Sequence, residues 1–469
     1  MMRMAASGSV SADDILARAR TLREQLGPGV HDRITQSLYE KAVEVVSVGV
    51  RVTGKPKIDW DLLADKVLTS RYLGFPIMLL GLAVVFYLTI SGANVPSNLI
   101  ATGLFWIEGQ LILGMNAMGA PWWLTGFLIN GVYRGLAWVV SVMLPPMAIF
   151  FPMFTMLEDV GYLPRVAFNL DRLFRWSGAH GKQALTMGMG FGCNAAGVIS
   201  CRIIDSPRER MIAILTNNFM LCNGRWPTII LLSTVFIAAS FPPVWSSLVA
   251  VGSVVAIVLV GVVVTFLVAR LLSSTVLKGT SSAFHLELPP YRRPAILRII
   301  HRSLIDRTLF VLGRACVTAA PAGALIWLLG NVHVGETSLM SHAASFLDPV
   351  GHFMGLDGII ILAYIIALPA NEIIVPTIIM GYLGAGGMLE LNSTGELGQL
   401  FTANGWTMLT AMCVMLFSLL HYPCATTTWT IWRETRSVKW TILANLMPLT
   451  LAVLVCAAVA RVGRLLGWG

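Results

Sequence analysis

One acidic residue, Glu372, interrupts the apolar stretch Gly358–Leu389, which carries no other charge. A carboxylate inside a membrane segment costs roughly 2.5–3.5 kcal/mol on insertion scales, so such a residue usually serves a function. Pro369 and Pro376 flank it and are expected to break the helix, which frees backbone carbonyl groups. An acid beside an unwound helix is one way in which membrane proteins build a cation site. The sequence therefore predicts a cation site at this break.

Three of the seven cysteines also stand beside helix breakers in apolar segments: Cys193 beside glycine, Cys222 beside an Asn-Gly pair and Cys424 beside proline. Thiolates are suitable ligands for soft or borderline transition metals. The three cysteines and Glu372 together predict a pathway for a transition-metal ion. Two alternatives remain open, namely that these cysteines only pack as small apolar side chains and that Glu372 pairs with an arginine. The arginines considered are Arg202 and Arg225, and the cysteines expected only to pack are Cys316, Cys413 and Cys456.

The composition defines the class of protein. The chain has 469 residues, of which 56% are hydrophobic and 12% are charged, whereas soluble domains carry about 25% charged residues. We therefore expect an all-α, polytopic helical membrane protein with about eight to eleven spans. The net charge is +9, but the basic residues cluster between apolar stretches, so the positive-inside rule explains them better than a nucleic-acid partner does.

Uncharged stretches near 20 residues predict the spans. The predicted spans are Leu73–Ile90, Leu99–Tyr133, Gly135–Leu157, two within Trp226–Ala269, Ala315–Gly335, Gly358–Leu389, Leu397–Trp432 and Trp440–Ala460. The glycine-rich stretch Gln183–Cys201 predicts a broken or half helix rather than a span. Arg433–Lys439 and the pair Arg461 and Arg464 both favour a cytoplasmic side, which leaves the topology of the last span open.

Four regions follow from this pattern. Residues 1–70 are expected to form a cytosolic helical segment without a signal peptide, 71–270 a membrane region with a first repeat, 271–314 a basic cytoplasmic connection, and 315–469 a membrane region with a second repeat. The segment Gly49–Pro56 matches a P-loop but has proline where the Mg²⁺-binding Ser or Thr should stand, so it is not expected to bind nucleotide.

The broken segments recur in pairs. Cys222 follows Cys193 after 29 residues, and Cys424 follows Glu372 after 52 residues. Interrupted segments in two halves of a chain are typical of the substrate site of a transporter.

Several ordered motifs resemble the membrane domain of the ferrous iron transport protein B (FeoB) family. They are Leu157–Phe168, Gly181-Lys182, Gly190–Asn194, Arg202, Cys222–Pro227, Pro369–Glu372, Tyr422–Cys424 and Arg433-Glu434. The resemblance implies two gate repeats with broken helices, Fe²⁺ as substrate and no permanently bound cofactor. It further implies a metal pathway formed by Cys193, Asn194, Cys222, Asn371, Glu372 and Cys424, in which the two asparagines offer oxygen ligands.

Departures from the family pattern bear on mechanism. Members of the family usually begin with a GTPase domain, and this chain shows none, so GTP would act only through a separate GTPase protein, or transport would not be coupled to GTP. A small FeoA-like cytosolic protein and a homo-oligomer are further expected partners. Asn371 stands where the family usually has lysine, which should leave Glu372 more available as an anionic ligand, and Mn²⁺ stays possible instead of Fe²⁺.

We therefore expect a multi-pass transporter of the bacterial inner membrane rather than an enzyme, because no zinc motif or nucleophile with a base is visible. Two other functions stay open. One is a metal-binding gate subunit or sensor that regulates another transporter, and the other is a carrier of a small organic solute such as a nucleoside.

Overall fold

The computed structural model describes residues 14–18, 21–22, 30–49, 60–70, 72–279, 290–388 and 394–467. These residues belong to two compact units, with a boundary after Trp60. The described part of the first unit includes helix α1 (Val30–Gly49), on which apolar side chains such as Leu38 and Val46 are exposed. The P-loop-like segment lies almost entirely outside the described residues.

The described residues of the second unit form a bundle of helices and one two-stranded hairpin. The helices are α2 (Trp60–Leu68), α3 (Gly74–Ala117), α4 (Trp122–Val160), α5 (Tyr162–Trp176), α6 (Gln183–Gly192), α7 (Asn194–Ser200), α8 (Pro207–Thr216), α9 (Trp226–Leu232), α10 (Pro243–Ser274), α11 (Ile296–Asn331), α12 (Leu339–Phe353), α13 (Gly358–Ile366), α14 (Ile374–Leu383), α15 (Thr394–Ala403), α16 (Met408–Leu420), α17 (Ala425–Thr435) and α18 (Val438–Leu465). Strands β1 (His333–Val334) and β2 (Thr337–Ser338) pair antiparallel, with His333 opposite Ser338.

Seven helical segments of the described chain are long and apolar enough to cross a membrane. They are α3, α4, Pro207–Ser240, Val244–Ser274, α11, Met408–Thr435 and α18. The number becomes eight if α12 and α13, which are bent by 108° at their junction, count as one span. The helical membrane fold is therefore confirmed, with a count at or just below the lower end of the expected range.

Several span boundaries differ from those expected. Leu73–Ile90 and the first part of Leu99–Tyr133 form one continuous helix, α3, which runs through Pro96, because an isolated proline is tolerated in a membrane helix. The span expected at Ala315–Gly335 begins earlier, at Ile296 within the basic connection. A π-helical turn at Ser303–Leu309 joins that basic end to the apolar part of α11.

Two hairpins enter the bundle from opposite sides and do not cross it. The first hairpin (residues 183–205) contains α6 and α7, and its ends are joined by an ion pair of 2.7 Å between Lys182 Nζ and Asp205 Oδ2. The second hairpin (residues 358–386) contains α13 and α14, and the Tyr382 hydroxyl near its end donates to the Asp357 carboxylate at its start. The expectation of a broken helix at Gln183–Cys201 is thus confirmed, whereas Gly358–Leu389 folds back instead of spanning.

The ends of the helices define two sides. The side from which the first hairpin enters also holds the contacts of Arg208 with the Leu277 carbonyl and of Arg270 with the Trp176 carbonyl. Most of the basic residues in the described ranges lie on this side, and the positive-inside rule therefore predicts that it faces the cytoplasm. Helix α18 begins there, at Val438 within the cluster Arg433–Lys439, and ends on the opposite side, where Arg464 donates to the His352 carbonyl. The cluster Arg433–Lys439 and the pair Arg461 and Arg464 therefore lie at opposite ends of α18, so only one of them can face the cytoplasm.

The two halves repeat the same backbone geometry at their breaks. Cys193 has φ −154° and ψ 123°, and Ala370 has φ −153° and ψ 121°. Cys222 has φ −74° and ψ 164°, and Cys424 has φ −61° and ψ 160°. Each half therefore consists of one hairpin broken at its tip followed by one broken span. These two broken spans are Pro207–Ser240 and Met408–Thr435.

Candidate metal-binding cavity

All four breaks meet at one enclosed cavity of about 40 Å³. Its lining includes all six residues predicted from sequence, namely Cys193, Asn194, Cys222, Asn371, Glu372 and Cys424. Helices α4 and α11 complete the wall with Met143, Met147, Val311 and Ala315. We call this space the break cavity. Residues far apart in the chain converge here because each hairpin tip ends against the broken span of the other half.

The breaks leave the cysteine side chains at the ends of helices rather than within them. Cys424 is the residue before α17, and the first N–H group of this helix, that of Ala425, donates to the Leu368 carbonyl at 2.8 Å. Its Sγ lies 3.2 Å from the Thr427 hydroxyl. Cys193 and Cys424 are partly exposed to the cavity, whereas Cys222 is buried.

The Glu372 carboxylate lies directly over the backbone of Gly224, in the turn that follows Cys222. A methyl group added at Gly224 would be 2.6 Å from the carboxyl carbon of Glu372, so glycine is required for this approach. Neither arginine considered as a partner neutralises the acid. Arg202 pairs with Glu434 at 2.6 Å, and Arg225 donates to backbone carbonyl groups.

The asparagines connect the breaks. Asn371 Nδ2 lies 3.8 Å from Cys222 Sγ, and Asn371 Oδ1 lies 3.4 Å from His421 Nε2. Asn194 is held by the Asn218 side chain at 3.4 Å or, with its amide group reversed, by the Gly190 and Met220 carbonyls at 3.0 and 3.2 Å. Both amides are thus oriented by their neighbours before any ion arrives.

Arg225 holds the two broken spans together. Its side chain is completely buried. It donates to the Asn218 carbonyl at 2.8 Å and to the Leu419 carbonyl at 3.0 Å, and it also reaches the His421 and Tyr422 carbonyls at 3.4 and 3.3 Å. Because a break in a helix leaves carbonyls without their usual donors, this guanidinium group takes the place of the missing backbone N–H groups.

The cavity is not a preformed chelate. Among the described residues, no group of three or more His, Cys, Asp or Glu side chains is close enough to hold a metal ion. The thiols and the carboxylate surround the space but do not converge on one point. A site of this kind could bind an ion only through rearrangement or through additional amide and water ligands.

Three residues that support the site, His421, Arg225 and Gly224, were marked less clearly in the sequence than the six candidate residues. His421 is 1% exposed and contacts Asn371 at 3.4 Å. Arg225 and Gly224 also proved to be part of the site, and the polar run Cys222–Arg225 within an apolar region was the signal for both. The cysteines expected to pack do not line the cavity, and Cys413 and Cys456 are fully buried.

Two repeated hairpins with broken spans define the class of this protein as a helical membrane protein with a gate architecture. A family model described as Gate, nucleoside recognition, matches residues 140–236 and 312–438. A second model, described as ferrous iron transport protein B C terminus, matches residues 254–306. The two matched segments of the first model contain the two sets of breaks.

Curated relatives agree with these models. The chain is 30% identical over 407 residues to an Fe(2+) transporter FeoB of Staphylococcus aureus (strain MSSA476), an alignment that covers 86% of this chain and 59% of the relative. It is 27% identical over 448 residues to an Fe(2+) transport protein A/Fe(2+) transporter FeoB fusion protein of Porphyromonas gingivalis, covering 86% and 51%. The Legionella pneumophila Fe(2+) transporter FeoB is 27% identical over 372 residues, covering 76% and 48%. No solved structure matches the chain.

The chain belongs to the FeoB family through the membrane portion of that family. It spans about half to three-fifths of the length of these relatives.

Proposed function

We propose that this chain carries a divalent transition-metal ion across the membrane, with Fe²⁺ as substrate and Mn²⁺ as the competing alternative. The observation that carries the proposal is that thiols, amides and one carboxylate from both repeats line a single cavity at the breaks. Sulfur ligands select soft and borderline metals, and oxygen ligands suit harder cations such as Mn²⁺. A mixed set of this kind fits Fe²⁺ and discriminates against Mg²⁺ and Ca²⁺.

In the proposed mechanism, Cys193 and Cys424 capture the ion and Cys222 takes part in its passage. Glu372 compensates the charge, and Asn194 and Asn371 supply oxygen ligands. Because conduction requires binding that is weak enough for release, the absence of a preformed chelate among the described residues supports passage rather than storage. The hairpins enter from opposite sides, and alternation would pivot at their glycine and proline breaks.

A carrier of an organic solute is the second candidate, since the Gate model is described as nucleoside recognition. Pockets for drug-sized ligands are about 300–1,000 Å³, whereas the break cavity is about 40 Å³. The volume favours an ion over a nucleoside. A gate subunit that binds metal and regulates another transporter differs from the proposal only in the absence of flux.

The coupling and the partners are also proposals. The relatives are named Fe(2+) transporters, and we propose the bacterial inner membrane as the location of this chain. GTP would act through a GTPase, supplied by a separate protein. The relative in which transport protein A is fused to FeoB supports a small FeoA-like partner.

The test is anaerobic Fe²⁺ flux into proteoliposomes that contain the purified chain, with Mn²⁺ and Zn²⁺ as competitors. Cys193→Ser and Glu372→Gln should each abolish flux. Cys316→Ser is the matched control, because Cys316 lies in α11 next to Ala315 but does not line the cavity, and it should leave flux unchanged.

Equal flux in all four proteins would refute the proposed pathway. Metal binding without flux, also after a candidate GTPase and GTP are added, would instead support the regulatory role. Nucleoside uptake that is insensitive to Cys193→Ser would support the organic solute.

A further inference from the structure

A second cavity lies on the cytoplasmic side of the break cavity. It has a volume of about 330 Å³. One glutamate, Glu434, and five arginines line it, which makes a formal charge of +4. We call it the arginine cavity, and its arginines are Arg202, Arg307, Arg314, Arg433 and Arg436.

Three of the arginines are held in place by neighbouring groups. Arg202 makes two hydrogen bonds with Glu434, at 2.8 and 2.6 Å. The Arg314 guanidinium lies 4.1 Å from the centre of the Phe310 ring and donates to the Thr430 hydroxyl at 3.0 Å. Arg307 donates to the Thr155 hydroxyl at 3.0 Å and forms a longer ion pair of 3.9 Å with Glu158. These contacts use only part of the five N–H donors of each guanidinium group.

The other two arginines have spare donor capacity. Within the described part of the chain, neither Arg433 nor Arg436 makes an ion pair with a carboxylate. Both are exposed at the end of α17, and Arg436 adopts the left-handed conformation (φ 50°) that ends this helix. Glu434, the only carboxylate among the described lining residues, is already engaged by Arg202.

The positive-inside rule explains basic residues on this side, but it does not explain their convergence. The rule applies to loops, whereas Arg307 and Arg314 belong to the spanning helix α11 and are only partly exposed. Like charges placed around one concavity repel each other. Guanidinium groups in such an arrangement are typical of sites for phosphate groups, which they bind through paired hydrogen bonds.

The arginine cavity also lies on the route by which a cation would leave the break cavity. Helix α7 lines the break cavity with Asn194 and the arginine cavity with Ala196, and α17 does so with Thr427 and Thr430. Val311 of α11 lines both. A cation that passes between these helices meets a formal charge of +4, which opposes its release unless an anion is present.

We propose that the arginine cavity binds a phosphate group, from a soluble phosphate compound or from an anionic lipid headgroup, and that its occupation promotes release of the cation. The effect on cation release rests on the proposed transport function, whereas the binding of a phosphate group does not. The two parts of the proposal therefore have separate tests.

Binding is tested on the purified full chain in detergent, without metal, by its thermal unfolding in inorganic phosphate and in chloride of equal ionic strength. Phosphate should raise the melting temperature, and the double variant Arg433→Gln/Arg436→Gln should bind it at least about tenfold more weakly, because it lacks two charged donors. The control Arg270→Gln/Lys278→Gln removes two charges from the same side, outside the cavity, and should bind phosphate like the unmodified protein.

The source of the phosphate group is tested by mass spectrometry of lipids that co-purify from nanodiscs of phosphatidylglycerol and phosphatidylcholine. Retention of phosphatidylglycerol by the unmodified chain and the control, but not by Arg433→Gln/Arg436→Gln, would assign the site to a lipid. A shift with inorganic phosphate and no retained lipid would assign it to a soluble compound. The site is disproved if neither ligand distinguishes the double variant from the control.

Coupling is tested by two comparisons of Fe²⁺ flux. The first compares vesicles of phosphatidylcholine with vesicles that also contain phosphatidylglycerol. The second compares sulfate with chloride in phosphatidylcholine vesicles, since sulfate is a dianion that keeps Fe²⁺ in solution. The anion or the lipid should increase flux in the unmodified chain and not in Arg433→Gln/Arg436→Gln. Equal stimulation of both proteins would overturn the coupling. Absence of flux under all conditions would count against the transport function and would leave the binding result intact.

Discussion

The two repeats share their backbone geometry and differ in their chemistry. The tips of the hairpins have nearly identical dihedral angles at Cys193 and Ala370, yet only the first carries a thiol there. Asparagine follows in both, and then the first hairpin has Ala195 where the second has Glu372. The comparison teaches that the breaks form a common scaffold. The groups that could bind an ion are distributed between the halves so that they complement each other.

The broken spans show the same division. Cys222 and Cys424 occupy corresponding breaks, but Arg225 belongs to the first span alone and donates to carbonyls at the break of the second. The corresponding position of the second span is Thr427, which contacts Cys424 instead. The first half thus supplies the guanidinium group that donates hydrogen bonds to the carbonyls at the breaks of both spans.

The largest effect is expected from removal of this shared group. Arg225→Met leaves the carbonyls of Asn218, Leu419 and Tyr422 without this donor, whereas the His421 carbonyl keeps a hydrogen bond of 2.7 Å from the Asn218 amide. Each unsatisfied buried acceptor costs about 1–3 kcal/mol. The combined cost approaches the whole stability of a typical protein, about 5–15 kcal/mol. We expect almost no monodisperse protein on size-exclusion chromatography.

Arg202→Met is the comparison for that variant, because its ion pair with Glu434 is largely exposed on the arginine side. It should be purified in nearly normal yield. Similar yields of both variants would show that the two repeats do not depend on Arg225.

The second prediction exchanges chemistry between the repeats. Cys193→Ala should weaken binding of Co²⁺ and remove part of its thiolate charge-transfer absorption. Adding Ala370→Cys to this variant places a thiol at the corresponding backbone position, which also lines the cavity, and should restore a substantial part of that absorption. If the double variant resembles Cys193→Ala alone, the hairpin tips are not equivalent as metal sites.

A smaller effect is expected from Gly224→Ala. The new methyl group would collide with the Glu372 carboxylate, which is the flexible end of its side chain and can move away at little cost to folding. We expect an unchanged melting temperature and roughly tenfold weaker metal binding, since loss of one charge-assisted interaction costs about 1.5–3 kcal/mol. Gly252→Ala is the control, because nothing lies within 4 Å of the added atom.

The smallest effect is expected at Asp65 of α2, which lies outside both repeats. Its hydrogen bond of 2.9 Å from Arg165 holds the pKa of Asp65 below its usual value, despite the opposing effect of burial. The stability from this ion pair is fully present above the unfolded-state pKa, near 4, and is lost as the pH falls through the lower folded-state pKa.

Thermal unfolding between pH 3 and pH 7 measures this contribution. Asp65→Asn should lower the melting temperature slightly at pH 7 and less at pH 3. Metal binding at pH 7 should stay normal, because Asp65 does not line the break cavity. A difference that grows toward low pH would contradict the assignment.

Much of this arrangement was predictable from sequence. The membrane fold follows from hydropathy. The six candidate residues, which line one cavity, could be selected because charges, amides and cysteines beside glycine or proline are rare in apolar segments, and their role as metal ligands stays a prediction. The reversal of Gly358–Leu389 was not found, since an apolar hairpin has the same composition as a span. Its return depends on the pairing of Tyr382 with Asp357 and of Asn331 with the Gly386 carbonyl.

The function of Arg225 was equally inaccessible. A lone arginine in an apolar region suggests an ion pair with a carboxylate. Glu372 was the candidate partner, because it also lies in an apolar segment. Apart from the Asn218 side-chain oxygen at 3.1 Å, the acceptors of Arg225 are backbone carbonyls, which every residue carries, so no sequence pattern marks them. The approach of Glu372 to Gly224 was hidden for a similar reason, because it depends on two chain segments that meet only in the folded protein.

The bonds of Arg225 also constrain the order in which the protein can be assembled. Its acceptors at Leu419, His421 and Tyr422 follow it by 194 to 197 residues, so the ribosome completes the first broken span long before they exist. Until then a permanent cation stands in the bilayer without these acceptors, at a cost of about 2.5–3.5 kcal/mol. The first half is therefore an unfinished insertion intermediate, and a ribosome stalled before residue 419 would leave a chain suited to recognition by membrane quality control.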